Sequence, residues 1–254
     1  MFSLSMQVED NERDLLIANL WDAGATGITE EDRALRAFFG PESDAQVVIR
    51  LFADFRPIVQ EEEETDWVRF AQSQWQSFPV GERFYLVPEW LDEAAPEGRL
   101  RLVMHPGMAC GSGTAPPTRL CLIAMERNVA AGQSVIDVGT GAGILADGAR
   151  LLGARPVFGC DIEHDATMVA RAKLDISIPL FTGSVRSVRS SATDWAVCNL
   201  NAATLRNLKD DLLRISQRLI LSGFSEEEMD KVAGLFKRPV RDQMELDGYG
   251  CLII

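Results

Sequence analysis

At 254 residues and 46% hydrophobic content, the chain can bury a full α/β core and leave ~80 to 100 residues for a second, smaller unit. No stretch approaches ~18 uninterrupted apolar residues, and the opening segment has no basic region followed by an apolar one, so neither a membrane span nor a secretory leader is expected and a cytoplasmic location is. The formal charge of −13 is lodged in residues 1–100, which hold 21 Asp/Glu against 8 Arg and no Lys, whereas residues 101–254 hold 17 of each sign.

A field of that sign repels phosphate backbones and attracts cations. Direct nucleic-acid binding is disfavoured and a Lys-rich protein partner is favoured, with plain solubility as the other use of the charge. The five cysteines are scattered and odd in number, with no C-x-x-C pair, so reduced thiols are expected. His105 and His164 are the only histidines, too few for a metal cluster, and no metal is expected.

Along the chain, apolar alternation over Phe2 to Val8 predicts a strand, and Leu15, Leu16, Ala18, Leu20 and Trp21 recur at helical spacing until Gly24. Ala25 to Thr29 reads as a second strand, Val47 to Phe52 as another, and Trp67 to Trp75 as a helix. A small α+β domain over 1–76 follows. Residues 77–99 carry three prolines, two glycines and isolated aromatics, the composition of a linker with one short strand at Arg83 to Val87. From Thr118 onward, helical and strand-like segments alternate through Ser134–Val138, Ile144–Leu152, Pro156–Cys160, Asp165–Leu174, Trp195–Cys198, Leu205–Ile215 and Leu219–Ser222. That alternation predicts a doubly wound, mostly parallel α/β sheet over residues 100–254.

Within that domain, Val135-Ile136-Asp137-Val138 runs into Gly139-Thr140-Gly141-Ala142-Gly143 and then Ile144. An apolar strand that breaks into a glycine turn opening a helix lets the backbone approach a ligand and presents free N–H groups to it. A nicotinamide fingerprint, G-x-G-x-x-G, would need glycine where Ile144 stands, and no Tyr-x-x-x-Lys constellation accompanies the turn, which argues against an oxidoreductase. Asp161, 22 residues after Gly139, ends the next strand, where a carboxylate accepts hydrogen bonds from ribose hydroxyls. Its alternative duty, capping the following helix, is better filled by Asp165. Asn199 closes the strand Trp195–Asn199, a position beyond the carboxyl end of the sheet where a neutral amide can accept a hydrogen bond from a target amine. An asparagine serving only a turn is the structural alternative.

Upstream, His105-Pro106-Gly107-Met108-Ala109-Cys110-Gly111-Ser112-Gly113-Thr114-Ala115-Pro116-Pro117-Thr118 resembles the D-P-G-x-A-F-G-T-G-T-H-x-T-T segment of the PrmA family, the methyltransferases of large-subunit ribosomal protein L-eleven. The glycine turn behind Asp137 is likewise similar to motif I of class I methyltransferases. Further matches follow in order: Gly24 to Ile28 with Glu31-Asp32, Asp66-Trp67, Phe78 to Arg83, Val87 to Trp90, Leu152-Gly153-Ala154 and Leu221-Ser222-Gly223. Four positions depart from the family pattern: His105 stands for Asp, Cys110 for Phe and Ala115 for His, and Gly183-Ser184 follows Phe181-Thr182 where an acid would help hold adenine.

The resemblance implies S-adenosylmethionine as cofactor, held by Thr118, Asp137, Gly139, Gly141, Gly143, Asp161 and Asn199, with Asn199 also at the reacting centre. It implies a substrate-recognition domain at 1–76, a linker at 77–99 and a methyltransferase domain at 100–254. The expected activity is N-methylation of lysine or N-terminal amino groups on a basic, ribosomal protein partner, by in-line displacement aided by proximity and alignment. Two other readings stand beside it: the same fold acting on another protein or a small molecule, and a non-catalytic cofactor-binding copy.

Overall fold

The computed structural model describes residues 1–31, 34–61, 72, 75–105 and 113–254. The chain divides into two compact units, residues 1–74 and 75–254.

In the first unit, β1 (Phe2–Gln7), α1 (Asp10–Asp22), β2 (Ala25–Glu31), β3 (Ala34–Phe39), α2 (Ala45–Leu51) and β4 (Ile58–Glu61) follow in order. The four strands form one antiparallel sheet ordered β2-β3-β1-β4. Leu4 and Met6 of β1 and Leu35, Ala37 and Phe39 of β3 alternate inward onto Leu16 and Leu20, four apart on α1. Arg36 on β3 donates to Ser3 Oγ at 3.1 Å and to Gln60 Oε1 at 2.8 Å, fastening three strands side by side.

One expectation for this unit fails. Val47 to Phe52 is not a strand but the helix α2 and its C-cap, because Asp44 Oδ1 accepts from the backbone N–H of Gln46 at 2.9 Å and of Val47 at 3.3 Å. An N-cap worth about 1 kcal/mol outweighs the small strand preference of three β-branched residues. Only Val48 and Phe52, one turn apart, are buried, while Val47 and Leu51 face solvent. The helix expected over Trp67 to Trp75 falls largely outside the described residues.

The second unit opens with β5 (Phe78–Val80), β6 (Phe84–Pro88) and β7 (Leu100–Met104), which form their own small sheet in which β6 and β7 are parallel. There follow α3 (Pro116–Asn128), β8 (Val135–Val138), α4 (Ile144–Leu151), β9 (Val157–Asp161), α5 (His164–Lys173), β10 (Leu180–Thr182), β11 (Thr193–Asn199), α6 (Ala202–Ile215), β12 (Ser216–Ser225), α7 (Met229–Phe236), β13 (Asp242–Leu246) and β14 (Tyr249–Ile253). The main sheet has seven strands ordered β10-β9-β8-β11-β12-β14-β13, with only β14 running against its neighbours.

Both faces of this sheet are covered. Val135, Val157, Val197 and Ile220 belong to one apolar cluster with α3 and α4, while Ile136, Ala196, Leu219 and Leu221 belong to another with α6 and α7. Two-sided burial is why these strands read as unbroken apolar runs in the sequence. The chain leaves β8 toward β9 and β10 on one side and returns to β11 and β12 on the other. The strand order therefore reverses between β8 and β11, where a doubly wound sheet opens a crevice at its carboxyl edge. Among the described residues no helix is long and apolar enough to cross a membrane.

Candidate functional site

The turn after β8 is shaped by backbone that only glycine adopts freely. Gly139, Gly141 and Gly143 have φ of 75°, 53° and 88°. The turn is pinned to the neighbouring strand, since the N–H groups of Gly139 and Thr140 both donate to Cys160 O, at 2.8 and 3.0 Å. A Cβ on Gly139 would lie 2.7 Å from Leu200 Cδ2, and one on Gly143 2.4 Å from Leu174 Cδ1.

Asp137 lies beneath the turn with 1% exposure. Its Oδ2 accepts from Thr140 Oγ1 at 2.8 Å and from the N–H of Ala146 at 3.2 Å, while Oδ1 has no partner among the described residues. Burial pushes its carboxyl up to about 7, against the lowering effect of those two hydrogen bonds, with the nearby charge of Asp161 adding to the rise. The thiols of Cys160 and Cys198 sit in the same interior; burial holds the first at about 12 and the second well above its ordinary value. Both are therefore neutral packing groups.

Asp161 closes β9. Its Oδ2 accepts from the N–H of Gly141 at 2.9 Å and its Oδ1 from the N–H of Glu163 at 3.0 Å, so one carboxylate ties the glycine turn to the start of α5. Asn199 closes β11, two strands from β9, and its Nδ2 donates to Thr118 Oγ1 at 3.0 Å. Thr118 is buried on α3, a helix that two prolines at its first turn start without a side-chain cap.

These strand ends surround a cavity of about 900 Å³, toward the upper end of the size range of small-molecule sites. Of the seven residues expected from the sequence, Gly139, Gly141, Asp161 and Asn199 line it. Asp137, Gly143 and Thr118 do not line it: Asp137 accepts from Thr140 of the glycine turn, Gly143 N–H closes that turn on Thr140 O at 2.8 Å, and Thr118 accepts from Asn199. The sequence reading missed Ile162, Val169 and Leu200, apolar side chains on the lining, and Asn207 on α6. Ile162 is 76% exposed, an apolar residue left in solvent directly after Asp161, which is the signal that could have found it. Thr204, Asn207 and Leu208 are spaced as one helical face, a pattern too short to stand out in sequence.

At the foot of the upstream segment, His105 Nδ1 lies 3.1 Å from Glu89 Oε2, and Lys173 at the end of α5 pairs with the same oxygen. Hydrogen bonds from Lys173 and then His105 hold the Glu89 carboxyl below its ordinary range. Residues 106–112 of that segment, including Cys110, lie outside the described residues.

The family described as Ribosomal protein L11 methyltransferase (PrmA) matches residues 2–245. The chain is 38% identical over 201 residues to a ribosomal protein L11 methyltransferase of Burkholderia cenocepacia, an alignment covering 77% of this chain and 67% of that one. It is also 38% identical over 200 residues to the corresponding protein of Burkholderia vietnamiensis, covering 76% and 66%. The alignments thus span about two thirds of those relatives' length. Among solved structures, a ribosomal protein L11 methylase of Lactobacillus delbrueckii subsp. bulgaricus superposes with a TM-score of 0.63 at 24% identity, over 70% of this chain and 97% of that one, a likeness of fold. A match over nearly the whole chain, joined to a doubly wound sheet with a glycine turn at its switch point, places this protein in the PrmA family of S-adenosylmethionine-dependent methyltransferases.

Proposed function

We propose that the chain binds S-adenosylmethionine in the cavity at the carboxyl edge of the seven-stranded sheet and methylates amino groups of a basic protein, ribosomal protein L11 being the first candidate. The observation that carries this reading is the convergence of Gly139, Gly141, Asp161 and Asn199 on one cavity. The residues present suit the cofactor. The glycine turn is a cradle that a Cβ would fill, Asp161 offers a carboxylate to a diol, and Ile162 and Leu200 offer apolar surface to a base. Thr118 fixes the amide of Asn199 on that wall, and Asp137 holds the glycine turn through Thr140 and Ala146.

When bound, the cofactor supplies an electrophilic sulfonium methyl group. The work left to the protein is alignment of a nucleophile and exclusion of water. With its Nδ2 committed to Thr118, Asn199 keeps Oδ1 available to accept an N–H of the incoming amine, which turns the nitrogen lone pair away from the amide. An amine moving from water to a cavity partly walled by Val138 and Leu200 loses its proton to solvent more easily, since desolvation disfavours the ammonium form. No basic side chain is required.

The acidic excess of residues 1–100 supports a Lys-rich partner and weighs against a nucleic acid. Residues 1–76 carry most of that acid, and we assign substrate recognition to them, with 77–99 joining them to the transferase domain. The test is incubation with purified ribosomal protein L11 and methyl-labelled cofactor, with Asn199→Ala as control. Label on lysine or N-terminal amines, absent with the variant, supports the reading. Cofactor binding with no transfer to this protein would direct the search to another acceptor.

A further inference from the structure

Of the three carboxamide side chains on the cavity, those of Asn199, Asn201 and Asn207, only that of Asn207 has no hydrogen-bond partner among the described residues. A ligand whose ribose meets Asp161 at the end of β9 extends its base toward the next strand, β10, and the Gly183–Arg186 segment after it, with α6 opposite. The polar groups there are mostly committed. Ser184 Oγ accepts from the N–H of Arg186 at 3.3 Å, Asn201 Oδ1 caps α6 by accepting from the N–H of Thr204 at 2.9 Å, and Arg186 pairs with Asp211 at 3.5 Å. Asn207 differs. Its side-chain amide lines the cavity and makes no hydrogen bond among the described residues, while its main-chain carbonyl accepts from Arg186 Nη2 at 3.4 Å.

Adenine places its 6-amino donor beside a ring-nitrogen acceptor, and a carboxamide places an acceptor beside a donor in one plane, so the two meet in a bidentate pair. The acid that would receive the 6-amino group in the family pattern is replaced here by Gly183-Ser184. We propose that Asn207 reads the adenine edge of the cofactor in its place, making α6 a determinant of base specificity in this chain. A neutral amide suits this end of the cavity, because a carboxylate beside Arg186 would be drawn into an ion pair and away from the base.

The inference rests on the proposed cofactor reading, and the experiment separates the two. Wild type, Asn207→Ala and Asn207→Asp are titrated calorimetrically with S-adenosylhomocysteine and with its analogue in which hydrogen replaces the 6-amino group. Wild type should prefer the amino form by about 10-fold or more, as expected for one bidentate pair. Asn207→Ala should bind both alike, and Asn207→Asp, whose carboxylate Arg186 draws away from the base, should lose most of the preference as well. Asn207 is exposed on a helix where alanine is well tolerated, so a folding defect does not confuse the result. An undiminished preference in Asn207→Ala, or none in wild type, overturns the role of Asn207. Wild type that binds neither compound overturns the cofactor reading itself.

Discussion

The side chains of Asn199 and Thr118, 81 positions apart in sequence, meet at 3.0 Å where β11 ends over the first turn of α3. The donor of the asparagine amide is thereby fixed, and under the proposed function its acceptor meets the substrate amine. Asn199→Ala should cut methyl transfer by about 100-fold or more while changing S-adenosylhomocysteine affinity less than about 10-fold, the signature of a group used for alignment. Thr118→Val keeps the volume but strands Nδ2, which can then rotate its amide. Its turnover should fall too, by a smaller factor. Steady-state kinetics beside calorimetry would separate the two effects.

Gly223 on β12 packs against the backbone of the residue that follows Asn199. Its φ is 97°, and a Cβ there would lie 2.6 Å from Leu200 N and 2.7 Å from Leu200 O, backbone atoms that cannot swing aside. Gly223→Ala should therefore move the Asn199-Leu200 peptide, costing about 1–3 kcal/mol in denaturant unfolding and lowering turnover. Gly98 has φ 82° with nothing within 4 Å. Its alanine variant should pay only the backbone strain and keep full activity.

Asp137 gives the fold a pH dependence of known sign. Its folded pKa, about 7, lies above the unfolded value of 3.8, so the native state holds the proton more tightly. The stabilisation is complete below about pH 4 and disappears as pH rises through 7, at about 1.4 kcal/mol for each unit crossed. Asp137→Asn stays neutral and can still accept from Thr140 and Ala146. Melting curves should show wild type losing stability relative to this variant between about pH 4 and 7. Parallel curves would refute the buried, protonated carboxyl.

Glu89 carries the opposite sign. Held low by Lys173 and His105, it adds stability above its ordinary range that is lost as pH falls through its folded pKa. Glu89→Gln should be less stable than wild type at pH 7 and lose that deficit as acid protonates the carboxylate, as followed by thermal melting. His105, at the foot of the upstream segment, thus meets a carboxylate just past the end of β6, a pairing that no local pattern announces.

What the sequence disclosed tracks burial on both faces. The strands at Val135, Val157, Trp195 and Leu219 were readable because each is sealed by helices above and below, and the glycine turn because positive φ demands its residue type. β13, largely exposed, and the three-residue β10 carry no comparable apolar run. β3 also passed unnoticed, although Leu35, Ala37 and Phe39 alternate as β1 does, because Arg36 and Phe38 blur the polar face. The α2 segment misled because its β-branched residues outvoted one capping aspartate. In the site, Gly139, Gly141, Asp161 and Asn199 were legible as strand ends. Ile162, Leu200 and Asn207 were not, since what matters about each is the group it faces across the fold.

The most direct test is a calorimetric titration of the purified chain with S-adenosylhomocysteine, wild type beside Asp161→Ala. Micromolar binding by wild type, lost or greatly weakened in the variant while its melting curve still shows a folded protein, is the predicted result. A folded wild type that takes up no cofactor product, or a variant that binds as well as wild type, would contradict the account.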